Sequence, residues 1–353
     1  MASYALVMIV KDAAADLPRT LTAARRYISS WTIHDTGSTD GTQKLIRKYL
    51  KGIPGTLTEV PWVNFGHNRS AVFAEARGTA DWLLAADADM AFTIKDGWEP
   101  DPTVDAYMIE MGNHTTFAYR LPLLLRGDLP WISVGRVHEY TSLPAGAGRD
   151  GGIGYGTLHT DSVTIDMLAI DRSSPAKYQM HAKYLEESLA ENPDNPRDTY
   201  YLAQTYNSLG DPRAREMFQK RAAMGGYDQE VFYATFRAAM LAPTWQERVL
   251  ELTAAWEMRP HRIEPLVGLT RELNTHGMHQ AAYALTGTIP IPNPDVMFVH
   301  IDCWRWGLKF ERAIAAWWCG HKVEARVLCD ELLADPTLPA SVREQVKINR
   351  AFE

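Results

Sequence analysis

The hydrophobic pattern of this chain changes once, near residue 172, and that change restricts the fold to two unlike parts. Before it, short apolar runs of strand length alternate with segments of helical spacing; the runs cover residues 4–10, 31–34, 56–60 and 82–86. Strands that alternate with helices over short connections form βαβ units and a largely parallel sheet. The sequence therefore predicts a Rossmann-like α/β domain over residues 1–172 and an all-α domain over residues 173–353.

The intervening segments of the first part predict helices over residues 17–27, 39–50 and 68–77. A glycine-rich segment at 145–156 follows no clear strand and begins no helix. We therefore expect a surface loop there and not a phosphate-binding turn.

Composition narrows the class of protein. The chain has 353 residues, of which 46% are hydrophobic, and a formal net charge of −7. This length suits about two domains, and the acidic balance disfavours an extended nucleic-acid surface. Three late cysteines without metal-ligand spacing predict free thiols in a reducing cytoplasm. No apolar run has the length of a membrane span, and the N-terminus reads as a first strand.

Polar loops follow three of the predicted strands, at residues 11–12, 35–38 and 87–89. The carboxyl ends of parallel strands share one sheet edge, where α/β proteins bind their ligands. Asp87 and Asp89 close a buried strand, and two carboxylates in such a place favour a bound cation. Mg²⁺ and similar hard cations take carboxylate and phosphate oxygens. The pattern predicts a metal-dependent enzyme that handles a nucleotide diphosphate.

The second part predicts paired helices. Residues 199–211 are followed by a helix over 212–224, and residues 313–321 are followed by one over 323–333. These pairs resemble tetratricopeptide repeats, whose stacked hairpins form surfaces for partners. We expect either a surface for a partner or a homodimer, or a structural cap on the first domain.

Several segments together resemble family 2 glycosyltransferases of the GT-A fold. The resemblance lies in the residue types, order and spacing of segments 8–12, 35–42, 64–70 and 86–89, and continues at 135–139 and 158–160. Residues 197–204 look like the subgroup with a tetratricopeptide-like tail, and bacterial peptide S-glycosyltransferases have a comparable layout. The first loop departs from the pattern, because the family usually has Asn-Glu where this chain has Lys11 and Asp12.

The resemblance implies a metal-dependent inverting transferase that takes a sugar from a nucleotide diphosphate donor, by default a UDP-sugar. It implies donor-binding roles for Val10, Asp12, Asp35, Gly37, Ser38, Arg69, Asp87, Arg172 and Lys177. It further implies Mn²⁺ or Mg²⁺ held by Asp87, Asp89 and His159.

Some of these residues have ordinary alternatives. Arg69 is either a phosphate ligand or the partner of Asp35 or Asp87 in a salt bridge. His159 is either a metal ligand or a simple polar residue. Arg172 and Lys177 either close over the diphosphate or are surface charges in a linker.

The acceptor must lose a proton, and a carboxylate can take it. Glu139 is the first choice for this base and His138 the second, with Asp128 and Asp150 as further candidates. The acceptor is expected to be a peptide, protein or glycan, and Trp98, Trp131 and Tyr140 either stack on it or belong to the core.

Three alternatives remain. The first is a glycosyltransferase acting on a modified nucleic-acid base, and the second is an inactive helical-repeat scaffold. The third is a nucleotidyltransferase, which usually carries a glycine-rich loop after the first strand; residues 11–15 contain no glycine.

Overall fold

The computed structural model describes residues 2–112, 118–148, 152–156, 162–167, 174–287, 295 and 298–352. The chain divides into two compact units, Met1–Ser173 and Ser174–Glu353. The described residues of the first unit form all the strands and three helices, and those of the second unit form helices.

The first unit is built on a seven-stranded sheet with two small two-stranded sheets beside it. Its strands are β1 Tyr4–Val10, β2 Ser30–Asp35, β3 Gly55–Glu59, β4 Trp82–Ala85, β5 Met90–Ile94, β6 Ala106–Gly112, β7 Ala118–Arg126, β8 Ile132–Val134, β9 Tyr140–Ser142, β10 Tyr155–Gly156 and β11 Val163–Met167. The large sheet has the order β10-β6-β7-β4-β1-β2-β3, while β5 pairs with β11 and β8 with β9, both antiparallel.

The centre of the large sheet is parallel. Strand β1 pairs in parallel with β2 and β4, and β2 pairs in parallel with β3. All seven residues of β1 are buried, as expected for a strand covered on both faces. Strand β7 runs antiparallel to β4 and β6, so the sheet is mixed on that side. The carboxyl ends of β1, β2 and β4 therefore lie side by side.

Three helices connect the first four strands in the chain: α1 Leu17–Ala24, α2 Thr42–Tyr49 and α3 Phe65–Ala76. Two of them begin elsewhere than the sequence predicts. Helix α2 starts three residues late because Asp40, just before it, accepts hydrogen bonds from the Ala14 N–H and from Thr42 and so belongs to the preceding loop. Helix α3 starts three residues early because the Asn64 side chain accepts a hydrogen bond from the His67 N–H and caps it.

The glycine-rich segment is not only a surface loop. Its final residues, Tyr155–Gly156, form β10 and pair in parallel with β6 at one edge of the large sheet. A Cβ at Gly156 would lie 2.4 Å from the Tyr107 ring, so only glycine fits against that ring. The expectation of a loop over the whole segment was wrong, because this contact depends on a strand almost 50 residues away.

The second unit consists of helices α4 Pro175–Glu191, α5 Pro196–Leu209, α6 Arg213–Ala223, α7 Asp228–Met240, α8 Trp245–Met258, α9 Glu264–Thr275, α10 His279–Thr286, α11 Leu308–Trp318, α12 Lys322–Ala334 and α13 Ala340–Ala351. A π-helical turn, Cys303–Gly307, precedes α11. Short connections join the successive helices from α4 to α10 and from α11 to α13. At Gly210, φ is 67° and the Asp211 N–H donates to the Tyr206 carbonyl, which ends α5.

These two architectures confirm the predicted fold class, a mostly parallel Rossmann-like sheet followed by a tetratricopeptide-like helical domain. The predicted free thiols are also seen: Cys303, Cys319 and Cys329 form no disulfide. Within the described part of the chain, no helix is both long enough and apolar enough to cross a bilayer.

Candidate active site

Hydrogen bonds join the loops that follow β1 and β2. The buried Val10 carbonyl accepts from the Thr36 N–H at 2.9 Å and from the Thr36 hydroxyl at 3.1 Å. The Asp12 N–H donates to Ser38 Oγ at 2.9 Å, and Asp12 Oδ1 accepts from the Thr39 N–H at 2.8 Å. Asp12 needs a left-handed backbone (φ 45°) for this arrangement. These hydrogen bonds, to which Val10, Asp12 and Ser38 contribute, join the loops after β1 and β2 into one unit, called the double loop.

Asp40 strengthens the same double loop. Its Oδ2 accepts from the Ala14 N–H at 2.8 Å, and its Oδ1 accepts from the N–H and hydroxyl of Thr42. The Thr42 hydroxyl and the Ala14 N–H lower the pKa of the Asp40 carboxyl. Because Asp40 bonds to both Ala14 and Thr42, it belongs to the loop, and α2 begins only at Thr42.

Asp35 is the last residue of β2 and is completely buried, so the prediction that the strand ends at residue 34 and that Asp35 belongs to the loop was wrong. Its Oδ1 accepts from the N–H groups of Gly37 and Ser38 at 2.8 and 2.7 Å. Gly37 has φ 104°, a conformation that other residues rarely adopt. Asp35 Oδ2 has no hydrogen-bond partner among the residues that the structure describes. A buried acceptor without a donor is costly, so this oxygen suits a ligand N–H or O–H.

Asp87 and Asp89 lie in the turn between β4 and β5, and both are half-buried. The Met90 N–H donates to the Asp87 carbonyl at 3.2 Å, which closes the turn. The Thr20 hydroxyl of α1 donates to the Ala88 carbonyl at 2.6 Å and fixes the turn from the side. The two carboxylates therefore sit on a braced turn at the carboxyl edge of the sheet.

Arg69 of α3 joins two carboxylates from different parts of the chain. Its Nη2 donates to Asp87 Oδ1 at 2.5 Å, and its Nε donates to Glu139 Oε1 at 2.7 Å. The side chains of Arg69 and Glu139 are 17% and 16% exposed, against 41% for Asp87. Burial alone would lower the pKa of the Arg69 guanidinium, but the two carboxylates raise it above its ordinary value. The salt bridge to Asp87 that the sequence offered as an alternative is present.

Close backbone packing brings Glu139 to α3. A Cβ at Gly66 would lie 2.3 Å from the Gly135 carbonyl, so the helix approaches this loop as only glycine allows. The Phe65 N–H donates to the Arg136 carbonyl at 3.1 Å, and the Ser133 N–H donates to Ser70 Oγ at 2.9 Å. These contacts hold the loop between β8 and β9 against the first two turns of α3.

His138 adopts a left-handed backbone with φ 51° immediately before Glu139. Such a conformation costs about 1–2 kcal/mol for a residue with a Cβ and is often found at functional sites. Tyr140 follows and is 44% exposed. Arg69, Asp87, Glu139 and Tyr140 line a cavity of about 130 Å³ with apolar walls. That volume holds only part of a substrate, since small-molecule pockets usually exceed about 300 Å³.

The donor atoms at the turn suit a hard cation, because Asp87 and Asp89 supply carboxylate oxygens at a partly exposed position. Over the described ranges, no group of three or more His, Cys, Asp or Glu side chains is arranged to hold a metal. Two carboxylates would be enough for Mg²⁺ or Mn²⁺ if phosphate and water oxygens completed the shell. His159, the third predicted ligand, lies outside the described residues.

The remaining candidates for donor binding and for the base do not belong to this group of described residues. Arg172 and Asp150 also lie outside the described residues, and Lys177 belongs to the first turn of α4 in the second unit. Asp128 pairs with Arg126 at 2.7 Å near the amino ends of β1 and β4, the opposite edge from Glu139, so it is not a base for this site.

Of the three aromatic residues considered for stacking on the acceptor, two pack in or beside the core and one lines the cavity. Trp131 is 3% exposed, donates to the Arg126 carbonyl and belongs to the core. Trp98 packs edge-on against Tyr107 beside the core. Tyr140 is the one of the three that lines the cavity.

Sequence reasoning missed the supporting residues of the site. Thr20, Ser70 and the pair Gly66 and Gly135 act through contacts with distant segments. Segments 64–70 and 135–139 carry the family resemblance, but the resemblance assigned no supporting contact to Gly66, Ser70 or Gly135. The local signal is Gly66, two residues before the predicted start of the helix, where a glycine can indicate a close backbone approach but does not identify the partner.

Comparison with known proteins gives partial similarities. No family model matches the chain. A TPR repeat-containing protein of Synechococcus elongatus is 34% identical over 99 residues, which are 28% of this chain. The match covers 23% of that relative, so the chain spans less than a quarter of its length.

Among solved structures, the MamA protein is similar over 50% of this chain and 88% of its own, with 16% identity and a TM-score of 0.36. S. aureus TarS 1-349 in complex with UDP is similar over 78% of this chain and 92% of its own, with 12% identity and a TM-score of 0.30. The fold assignment rests on the order and pairing of this chain's own strands and helices.

Proposed function

We propose that the N-terminal unit is a metal-dependent, inverting glycosyltransferase. Its donor is a nucleotide diphosphate sugar, with a UDP-sugar as the default, and its acceptor is a peptide, protein or glycan. The observation that carries the proposal is the cluster in which Arg69 holds Asp87 and Glu139 at the carboxyl edge of the sheet. In this cluster the partly exposed Asp87 carboxylate lies beside the mostly buried Glu139 carboxylate, which supports a metal-binding role for Asp87 and proton transfer by Glu139.

The double loop after β1 and β2 is the proposed nucleoside site. Asp35 Oδ2 is a buried acceptor that no described residue satisfies, and a base N–H or ribose hydroxyl would supply the missing donor. Val10, Asp12, Gly37 and Ser38 shape the backbone around it. In α/β sheets of this type, ligands bind at this edge.

Asp87 and Asp89 would hold Mn²⁺ or Mg²⁺, which when bound stabilises the negative charge that develops on the departing diphosphate. Arg69 has one nitrogen on each carboxylate and adds fixed positive charge beside the same position.

Glu139 is the proposed general base. Arg69 fixes its Oε1, while no described residue donates a hydrogen bond to its Oε2. Oε2 would take the proton of the acceptor as the acceptor atom bonds to the anomeric carbon of the sugar. The bond from that carbon to the diphosphate oxygen breaks at the same time, and attack from the opposite face inverts the anomeric centre.

The test is to incubate the purified chain with Mn²⁺ and a panel of sugar nucleotides and to measure the nucleoside diphosphate released. We expect slow release from one donor, which EDTA stops. Release of pyrophosphate would instead indicate a nucleotidyltransferase. The absence of any product from every donor, together with absent UDP binding, would favour an inactive scaffold.

A further inference from the structure

A pocket of about 420 Å³ lies in the second unit among α9, α11, α12 and α13. Its volume falls within the range of about 300–1,000 Å³ that is typical of ligand sites. Most of its lining is apolar or aromatic and includes Phe310, Ile314, Trp317, Trp318, Cys329 and Phe352. A cavity with these walls suits a large hydrophobic side chain.

The charged groups of this pocket are mainly positive. Arg271 and Arg326 line it, and Glu311 is the one carboxylate among the described lining residues. Glu311 is 2% exposed, and its oxygens accept from Arg271 Nε at 2.9 Å and Asn274 Nδ2 at 3.1 Å. Burial raises the pKa of the Glu311 carboxyl in spite of these donors. The pocket therefore has an excess of positive charge.

Both guanidinium groups remain available to an anion. The Arg271 side chain is 52% exposed although its Nε contacts Glu311. Arg326 lies over the Trp317 ring at 5.8 Å, and its Nη2 donates a long hydrogen bond of 3.4 Å to the Phe352 carbonyl. An arginine on an aromatic face is well placed to bind a carboxylate while its flat side packs on the ring.

An exposed tryptophan stands at the edge of the same pocket. Trp318 is 66% exposed and stacks on His279 with a centroid distance of 5.3 Å. A large aromatic side chain held in place but open to solvent is a common anchor of protein interfaces. Gln345 and Asn349 of α13 also line the pocket, and Gln345 Nε2 donates to Asn349 Oδ1 at 2.9 Å. The Gln345 side-chain oxygen can accept a hydrogen bond from a peptide N–H, and the Asn349 side-chain nitrogen can donate one to a peptide carbonyl.

We propose that this pocket binds an acidic peptide segment that carries a large aromatic or aliphatic side chain. The hydrophobic side chain fills the space beside Trp317 and Trp318, and neighbouring carboxylates pair with Arg271 and Arg326. The apolar walls and the small excess of positive charge favour such a peptide over a nucleic acid, which requires many cationic contacts. The proposal concerns the second unit alone and does not depend on the proposed transferase activity.

Fluorescence anisotropy on the full chain tests the proposal with three fluorescein-labelled dodecapeptides. One alternates Glu and Phe, one alternates Glu and Ser, and one alternates Lys and Phe. We expect the Glu/Phe peptide to bind at least ~10-fold more tightly than the other two, because both the apolar and the anionic contacts are needed.

Matched variants locate the site. Trp318→Ala and Arg326→Gln are each expected to weaken binding of the Glu/Phe peptide by about 5-fold or more. Trp245→Ala is the control for the first, because Trp245 also stacks on a histidine, His276, but lies outside the pocket. Arg350→Gln is the control for the second, since Arg350 pairs with Asp330 on the surface.

Several results would overturn the proposal: no binding of the Glu/Phe peptide, equal binding of all three peptides, or equal effects of the pocket and control variants. Circular dichroism shows whether each variant is folded, and the two pocket variants change exposed or partly exposed side chains. Light scattering provides another check. If the wild-type chain is a dimer that Trp318→Ala dissociates, the surface belongs to a second copy and the peptide assignment is wrong.

Discussion

Arg69 and Glu139 lie 70 residues apart in sequence, yet Arg69 Nε donates to Glu139 Oε1 at 2.7 Å. Both side chains are mostly buried, so each charge depends on the other for compensation. This pair connects α3 to the loop between β8 and β9 and places the proposed base next to the turn that contains Asp87 and Asp89.

Glu139→Gln should abolish sugar transfer and preserve donor binding. Glutamine keeps the shape and can still accept the hydrogen bond from Arg69, but it cannot take a proton. We expect the rate of nucleoside diphosphate release to fall by about 100-fold or more, while calorimetry shows the same affinity for UDP. Glu110→Gln is the control, because Glu110 forms an exposed pair with Arg120. A wild-type rate for Glu139→Gln would exclude Glu139 as the base.

Arg69→Gln should destabilise the first unit. The change leaves the mostly buried Glu139 without a positive partner, and removal of one partner of a buried pair costs about 3 kcal/mol. Hydrogen exchange of peptides from α3 measures this loss within the first unit. The control, Arg120→Gln, breaks a pair at 3.3 Å whose arginine is 65% exposed, and we expect a cost below about 1 kcal/mol. Equal protection of α3 in both variants would contradict the structural role of Arg69.

Asp89→Ala should remove metal-dependent donor binding. With one of two proposed carboxylate ligands missing, calorimetry is expected to show that Mn²⁺ no longer increases the affinity for UDP. Asp96→Ala is the control, since Asp96 is exposed in the turn after β5. An unchanged effect of Mn²⁺ in Asp89→Ala would remove the metal role from this residue.

The stability of the first unit should fall in acid partly through Glu75. The His34 ring contacts Glu75 Oε2 at 2.7 Å and, with the Thr56 hydroxyl, lowers the pKa of the Glu75 carboxyl below its ordinary value of 4.5. A carboxyl whose pKa is lowered by folding stabilises the protein above the unfolded pKa and loses this contribution as the pH falls through the folded pKa.

Scanning calorimetry between about pH 6 and pH 3.5 should therefore show a smaller fall in melting temperature for Glu75→Gln than for the wild type. Asp166→Asn is a suitable control, because Asp166 also forms an ion pair, with Arg19 at 2.5 Å, but its side chain is 83% exposed. Parallel pH profiles for wild type and Glu75→Gln would show that this contact contributes nothing.

The sequence predicts the centre of the sheet well because the signals there are local. The apolar run Tyr4–Val10 matches β1 residue for residue, and β2 differs from its prediction by one residue at each end. Periodicity depends only on neighbouring residues, and a buried parallel strand must be apolar along its whole length. Element boundaries were less accurate where side chains compete for the backbone, as Asp40 and Asn64 do at the starts of α2 and α3.

The sequence by itself determined the order of strands and helices, the change to helical hairpins and the polar loops that contain Asp35, Asp87 and Asp89, because each of these depends on short-range patterns. Only the tertiary structure decided that Arg69 pairs with both Asp87 and Glu139, that Asp35 Oδ2 is buried without a donor among the described residues, and that Tyr155–Gly156 join the large sheet. These features depend on which distant segments the topology brings together, and such contacts leave no periodic signal in the sequence.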